Sequence, residues 1–184
     1  MEFDLVCHAA SRMPAIEAVR VQVERQHGWR LALQYQVVGD ISTVVMPLIM
    51  AQERADELWR TTCFELFLSR PGIEGYLELN FSPSSRWAAY GFERYRSGRK
   101  IMDRLEVSRL DIRVSPNTLE LGVMVDISCI APEKHSVTWQ AGLSAIVETK
   151  DGEKSYWALA HGADKPDFHR RDCFVALLEA PASE

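Results

Sequence analysis

Apolar and polar side chains alternate with a period of two along most of this chain. In Val19-Arg20-Val21-Gln22-Val23-Glu24 and in Leu31-Ala32-Leu33-Gln34-Tyr35-Gln36-Val37, one face is apolar and the other largely polar. Such alternation is the pleat of a half-buried strand and does not fit the 3.6-residue stripe of an amphipathic helix. His27-Gly28 between the two runs makes them a first hairpin.

The same pattern returns in Cys63-Phe64-Glu65-Leu66-Phe67-Leu68 and Tyr76-Leu77-Glu78-Leu79-Asn80-Phe81, with Pro71-Gly72 between them. Proline presets one turn dihedral and glycine permits the positive one that follows. A third strand, residues 87–92, completes a meander after Ser82-Pro83-Ser84-Ser85. Residues 105–114 and 119–127 form a further hairpin about Ser115-Pro116-Asn117, and residues 137–147 and 155–159 flank Asp151-Gly152. Residues 173–178 supply a last strand, and only residues 47–57 read as a short helix. About ten or eleven short strands separated by turn residues predict an all-β antiparallel sandwich or barrel.

At 184 residues the chain fits one domain, 1–184. Its net charge of −5, with both signs interspersed, disfavours binding to nucleic-acid phosphates. The local exception is the stretch 86–100, where Arg86, Arg94, Arg96, Arg99 and Lys100 stand among Trp87, Tyr90, Phe92 and Tyr95. Its charges read as a solvated strand face and loop, with an anion site as the alternative. No secretory signal and no membrane-length apolar run is visible, so the expected location is cytoplasmic. Cys7, Cys63, Cys129 and Cys173 lack a C-x-x-C pair, and three of them sit in apolar strand patterns, which predicts reduced, buried thiols.

The segment from Glu57-Leu58-Trp59-Arg60 to Phe67-Leu68, and then Tyr76-Leu77-Glu78-Leu79-Asn80-Phe81-Ser82-Pro83-Ser84-Ser85-Arg86-Trp87-Ala88-Ala89-Tyr90, resembles the DOMON-like proteins. These are related to the family nine carbohydrate-binding modules. Ser155-Tyr156-Trp157-Ala158-Leu159-Ala160-His161, Lys165-Pro166-Asp167-Phe168-His169 and Cys173-Phe174 are similar to the closing strands of that group, so the resemblance spans residues 29–178. It implies a jelly-roll-like β-sandwich in a superfamily whose members bind sugars or haem.

Carbohydrate recognition needs flat aromatic faces for the C–H surface of a pyranose, with planar polar groups nearby for its hydroxyls. Trp59, Trp87, Tyr90, Tyr95 and Trp157 offer the first; Arg60, Glu65, Glu78, Asn80 and Arg96 offer the second. The competing assignment for each tryptophan is core or rim packing. Glu65 and Glu78 fall in neighbouring strands, where the plainer expectation is exposure or pairing with Arg60 and Arg86. Nothing in the sequence fixes the carboxylate separation on which glycosidase chemistry depends.

The densest loop runs from His161 to Asp172, with Asp167 and His169 inside it. Its spacing matches no zinc signature and its cations oppose a metal, so it reads as a loop pinned to the sandwich rim by hydrogen bonds and ion pairs. A haem would need His161 or His169 opposite Met46, Met50, Met102 or Met124, and there is no C-x-x-C-H attachment motif. No P-loop, Gly-x-Gly-x-x-Gly or Gly-x-Ser-x-Gly motif occurs. The sequence therefore predicts a non-catalytic module without a cofactor, binding a small molecule or saccharide through Trp59, Arg60, Glu78, Asn80, Trp87, Tyr90, Arg96, Trp157, His161 and His169. The contrasting expectation is a sandwich that binds another protein through a sheet face.

Overall fold

The alternating runs form strands in the computed structural model, which describes residues 1–130, 138–162 and 164–179. In chain order they are β1 (Glu2–Cys7), β2 (Ile16–Arg25), β3 (Arg30–Gly39), β4 (Cys63–Ser69), β5 (Tyr76–Phe81), β6 (Trp87–Phe92), β7 (Lys100–Ile101), β8 (Glu106–Val114), β9 (Thr118–Asp126), β10 (Trp139–Glu148), β11 (Lys154–Ala158) and β12 (Ala176–Leu178). All strand pairs are antiparallel, in the order β7-β6-β5-β4-β10-β11-β1-β2-β3-β9-β8, with β12 beside β10.

Strand β1 joins the two halves of this order. Leu5 pairs with Val19 of β2, whereas Val6 pairs with Ala158 of β11. Two sheets result, β1-β2-β3-β9-β8 and β7-β6-β5-β4-β10-β11, and they face each other across one apolar core. Val19, Val21, Leu33, Tyr35 and Leu121 enter it from the first sheet, and Phe64, Leu66, Leu79, Phe81 and Leu143 from the second. Each of these side chains is buried, a gain of about 1.5–3 kcal/mol apiece for the large aliphatics and Phe before chain entropy is set against it.

The turn between β4 and β5 places Gly72 at φ +76°, the conformation that its position after Pro71 anticipates. Gly39, at the end of β3, has φ +150°, and a Cβ there would lie 2.2 Å from the carbonyl oxygen of Ala15. That close approach accompanies the bulge between Ile16 and Ala18, where β2 and β3 shift register.

One expectation is corrected. Residues 47–57 contain no helix; Met50 N donates to Ser84 O, Ala55 N to Trp87 O, and Trp87 N to Glu53 O. The backbone of Ser84 and of Trp87, at the start of β6, offers this extended strap its hydrogen-bond partners. The only helical turns among the described residues are three-residue 3₁₀ turns, one of them Leu58–Arg60. Among the described residues there are twelve strands, the ten read from the sequence together with β1 and the two-residue β7. Residue 137, expected to open β10, lies outside the described residues.

Candidate ligand-binding site

Because β4 sends Phe64, Leu66 and Leu68 into the core, the period of two turns Glu65 and Phe67 to the opposite, outer face. The ladder then fixes their neighbours. Glu65 stands opposite Asn80 of β5 and Ser144 of β10, and Phe67 opposite Glu78. Glu78 in turn faces Tyr90 of β6, and Ile146 of β10 faces Tyr156 of β11.

An outer face of this kind usually meets water. Here the segment after β11 folds back across it, and Phe174 joins Phe67 and Tyr76 in a second apolar cluster with Phe92 and Phe168 packed against it. Strands β4 and β5 are consequently buried on both faces. The loop is pinned at Asp167, which accepts from the Tyr95 hydroxyl at 2.5 Å, Arg96 Nη2 at 2.8 Å and the His169 amide at 3.2 Å. Arg171 donates to the Arg70 and Ile73 carbonyls at its far end. The rim-pinned reading of this loop matches that arrangement, and among the described residues no three His, Cys, Asp or Glu side chains converge on a metal position.

Between the returning loop, the 3₁₀ turn 58–60 and the β6–β7 connection lies a cavity of about 540 Å³, within the range of small-molecule clefts. Glu65 and Glu78 lie among its lining; Trp59, Tyr90, Phe92, Tyr156 and Phe168 supply rings, and Arg96, Arg99 and Lys154 supply cations. Trp59 is 42% exposed, with the Arg60 guanidinium 5.6 Å from its ring centre.

The two carboxyls are 3% and 5% exposed, contrary to the expectation that they sit in water or pair with Arg60 and Arg86. Arg60 binds Glu57 and Arg86 binds Glu53, each at 2.8 Å, so neither reaches the floor. Ser144 Oγ donates to Glu65 Oε2 at 3.1 Å, and Asn80 Nδ2 donates to Glu78 Oε1 at 2.7 Å, while Asn80 Oδ1 is buried without a partner. Burial, and next the adjacent Glu78, raise the Glu65 carboxyl to about 8; burial raises Glu78 as well. At neutral pH, Glu65 is a protonated acid able to donate as well as accept a hydrogen bond.

His169 lies 3.7 Å from Glu78 through Nε2, but burial, and then the Arg96 charge, lower its pKa to about 4. The contact is thus a neutral imidazole beside a carboxyl and not an ion pair. Tyr76 accepts from the Arg96 amide at 3.1 Å and shares a hydrogen bond of 2.8 Å with His169 Nδ1; with the tyrosine hydroxyl as donor, the ring proton of the neutral imidazole sits on Nε2, toward Glu78. Tyr90 donates to Asp56 at 2.6 Å, and its pKa rises to about 12 through burial and that bond.

Of the residues singled out in the sequence, Trp59, Glu65, Glu78, Tyr90, Arg96 and His169 line this cavity, and Asn80, fully buried and outside that lining, donates to Glu78. Four others lie elsewhere. Trp87 and Trp157 turn inward to the core, Trp157 donating to Ser155 Oγ at 2.9 Å. Arg60 is drawn to Glu57, and His161 is held 2.7 Å from the Val6 carbonyl with its ring edge-on to His8. No methionine lines this cavity beside His169. Sequence reasoning missed Lys154, Tyr156 and Phe168 as lining residues, and named Phe92 and Arg99 only as part of the basic-aromatic stretch 86–100. For Tyr156 a signal existed: adjacent strand residues face opposite sides, so with Trp157 in the core, Tyr156 had to point outward.

No model of a known protein family matches the sequence, and no curated protein does. Among solved structures, the fold is similar to a Bacteroides uniformis protein of proposed carbohydrate-binding function, with a TM-score of 0.63 and 16% identity over 88% of this chain and 78% of the other. A looser likeness, with a TM-score of 0.49 and 6% identity over 78% of this chain and 67% of the other, is to a family nine carbohydrate-binding module from Caldicellulosiruptor kristjanssonii in complex with glucose. At such identity the first likeness establishes a shared β-sandwich fold.

Proposed function

We propose that this protein is a non-catalytic saccharide-binding module and that the outer-face cavity is its binding site. The observation that carries the reading is the conjunction, in one cavity of about 540 Å³, of an exposed Trp59 with two buried carboxyls, of which Glu65 is protonated and can donate as well as accept a hydrogen bond. A pyranose presents an apolar C–H face and a rim of hydroxyls, so an indole beside fixed donors and acceptors meets both requirements. The carbohydrate-binding description of the structural neighbour agrees with this reading, and the kinship with DOMON-like proteins drawn from sequence belongs to the same proposal. A protein-binding role through a flat sheet face is less well supported, because β2 and β3 expose alternating polar positions and the outer face of β4 and β5 is covered.

The test is titration of the full chain with a panel of mono- and oligosaccharides, read by tryptophan fluorescence and calorimetry. At least one sugar should bind saturably, and Trp59→Ala should weaken it at least about fivefold, the worth of one stacked ring. Because Trp59 is exposed, the variant should keep the wild-type melting temperature. Absence of binding across the panel, or unchanged affinity in Trp59→Ala, would remove the site.

A further inference from the structure

Hydroxyl recognition leaves the cations of the cavity unassigned. Arg96 is committed to Asp167. Arg99 stands 5.0 Å over the Tyr90 ring, and Lys154 donates to the Arg60 carbonyl at 2.5 Å. Among the described residues neither has a carboxylate within the 4.0 Å of an ion pair. Asp56, on which the Arg99 charge acts, is already bound by Arg54 and by the Tyr90 hydroxyl. Glu148 faces Lys154 across the ladder without closing a pair.

The floor does not neutralise them. Glu65 and Glu78 are buried as neighbours, and two carboxyls so placed do not both ionise, so they share at most one negative charge. His169 adds no charge of its own. The cavity therefore carries an excess of positive charge although the chain as a whole is at −5. A low-dielectric cleft focuses that field on whatever enters.

We infer that the site selects an acidic saccharide, a sugar ring bearing a carboxylate or a phosphate, with the anion on Arg99 and the ring hydroxyls on Glu65 and Glu78. This rests on the saccharide reading above and specifies its ligand class. Arg99 is the better anion holder of the two free cations because its planar fork gives two parallel hydrogen bonds, and the Tyr90 ring beneath it restricts its orientation. Lys154 contributes as a point charge at the other end of the cavity.

Calorimetry with the full chain separates the possibilities. The probes are glucose and galactose, their uronic acids, and glucose 6-phosphate, each at low and high salt. An acidic sugar should bind about tenfold tighter than its neutral parent, the worth of a charge-assisted hydrogen bond, and the advantage should shrink with salt. In Arg99→Gln the ratio of acidic to neutral affinity should fall toward one, with the melting temperature unchanged because Arg99 is exposed. A preference for uronate over phosphate, or the reverse, identifies which anion the fork accepts. Neutral sugars binding as tightly as acidic ones, or an acidic preference that survives Arg99→Gln, overturns this inference while leaving the saccharide site standing. Failure of every sugar to bind overturns both.

Discussion

Glu65 shows how far one buried side chain can tie stability to pH. Its folded pKa of about 8 lies above the 4.5 of an unfolded glutamate, so the folded state holds the proton more tightly. Its stabilising contribution is complete below about 4.5 and is lost as pH rises through 8. His169 acts in the opposite sense: lowered from 6.5 to about 4, it favours the fold increasingly as pH climbs through that interval. Above pH 6.5 the histidine is silent and the Glu65 slope remains. The melting temperature should therefore fall between pH 6.5 and 8, corresponding to about 2 kcal/mol, and Glu65→Gln should flatten that decline. Thermal unfolding of both proteins across this interval checks it; parallel profiles would show that Glu65 titrates as an ordinary carboxyl.

At the scale of elements, the β2–β3 hairpin depends on a contact that no hydrophobic pattern encodes. Gly39 lets the end of β3 approach Ala15 so closely that any Cβ would meet a carbonyl oxygen, and backbone cannot step aside as a side-chain tip can. Its φ of +150° is also one that only glycine adopts readily. Gly39→Ala should therefore cost about 2–3 kcal/mol in denaturant unfolding, within the range for overpacked sites. Gly28→Ala provides the comparison: its φ is +62°, but a Cβ there meets nothing within 4 Å, so its cost should be smaller. Equal losses would assign both effects to φ alone.

Over the whole molecule, the four cysteines report on the closure of the sandwich. All are free: Cys129 is exposed just past β9, Cys7 is half-buried, and Cys63 and Cys173 are buried. The expectation that Cys129 sits in an apolar strand is corrected, since β9 ends at Asp126. Native protein should react with an aromatic disulfide reagent first at one thiol, lost in Cys129→Ser. Cys63 should label only on the timescale of global unfolding, because it is fully enclosed and burial holds its thiol well above the usual range. Rapid labelling of Cys63 in native protein would mean that the outer face of β4 opens locally.

The local sequence determined the strands, most of their turns and the parity of each face, because strand side chains alternate strictly and the turn residues carry their own dihedral preferences. It also placed Trp59, Glu78, Tyr90 and Arg96 among the residues of interest. It could not determine whether an outward face meets water. Glu65 and Glu78 are polar at positions that alternation assigns to solvent, and only the return of the segment after β11, with Phe168 and Phe174 packed over Phe67 and Tyr76, buries them and shifts their protonation. The same limit explains Trp87 and Trp157. Their flanking residues do not distinguish core from surface, whereas the registers of β6 on β5 and β11 on β10 turn both indoles inward and leave Tyr90 and Tyr156 facing the cavity. Periodicity is a property of neighbours in the chain; burial is a property of neighbours in space, and the chemistry of this site depends on the second.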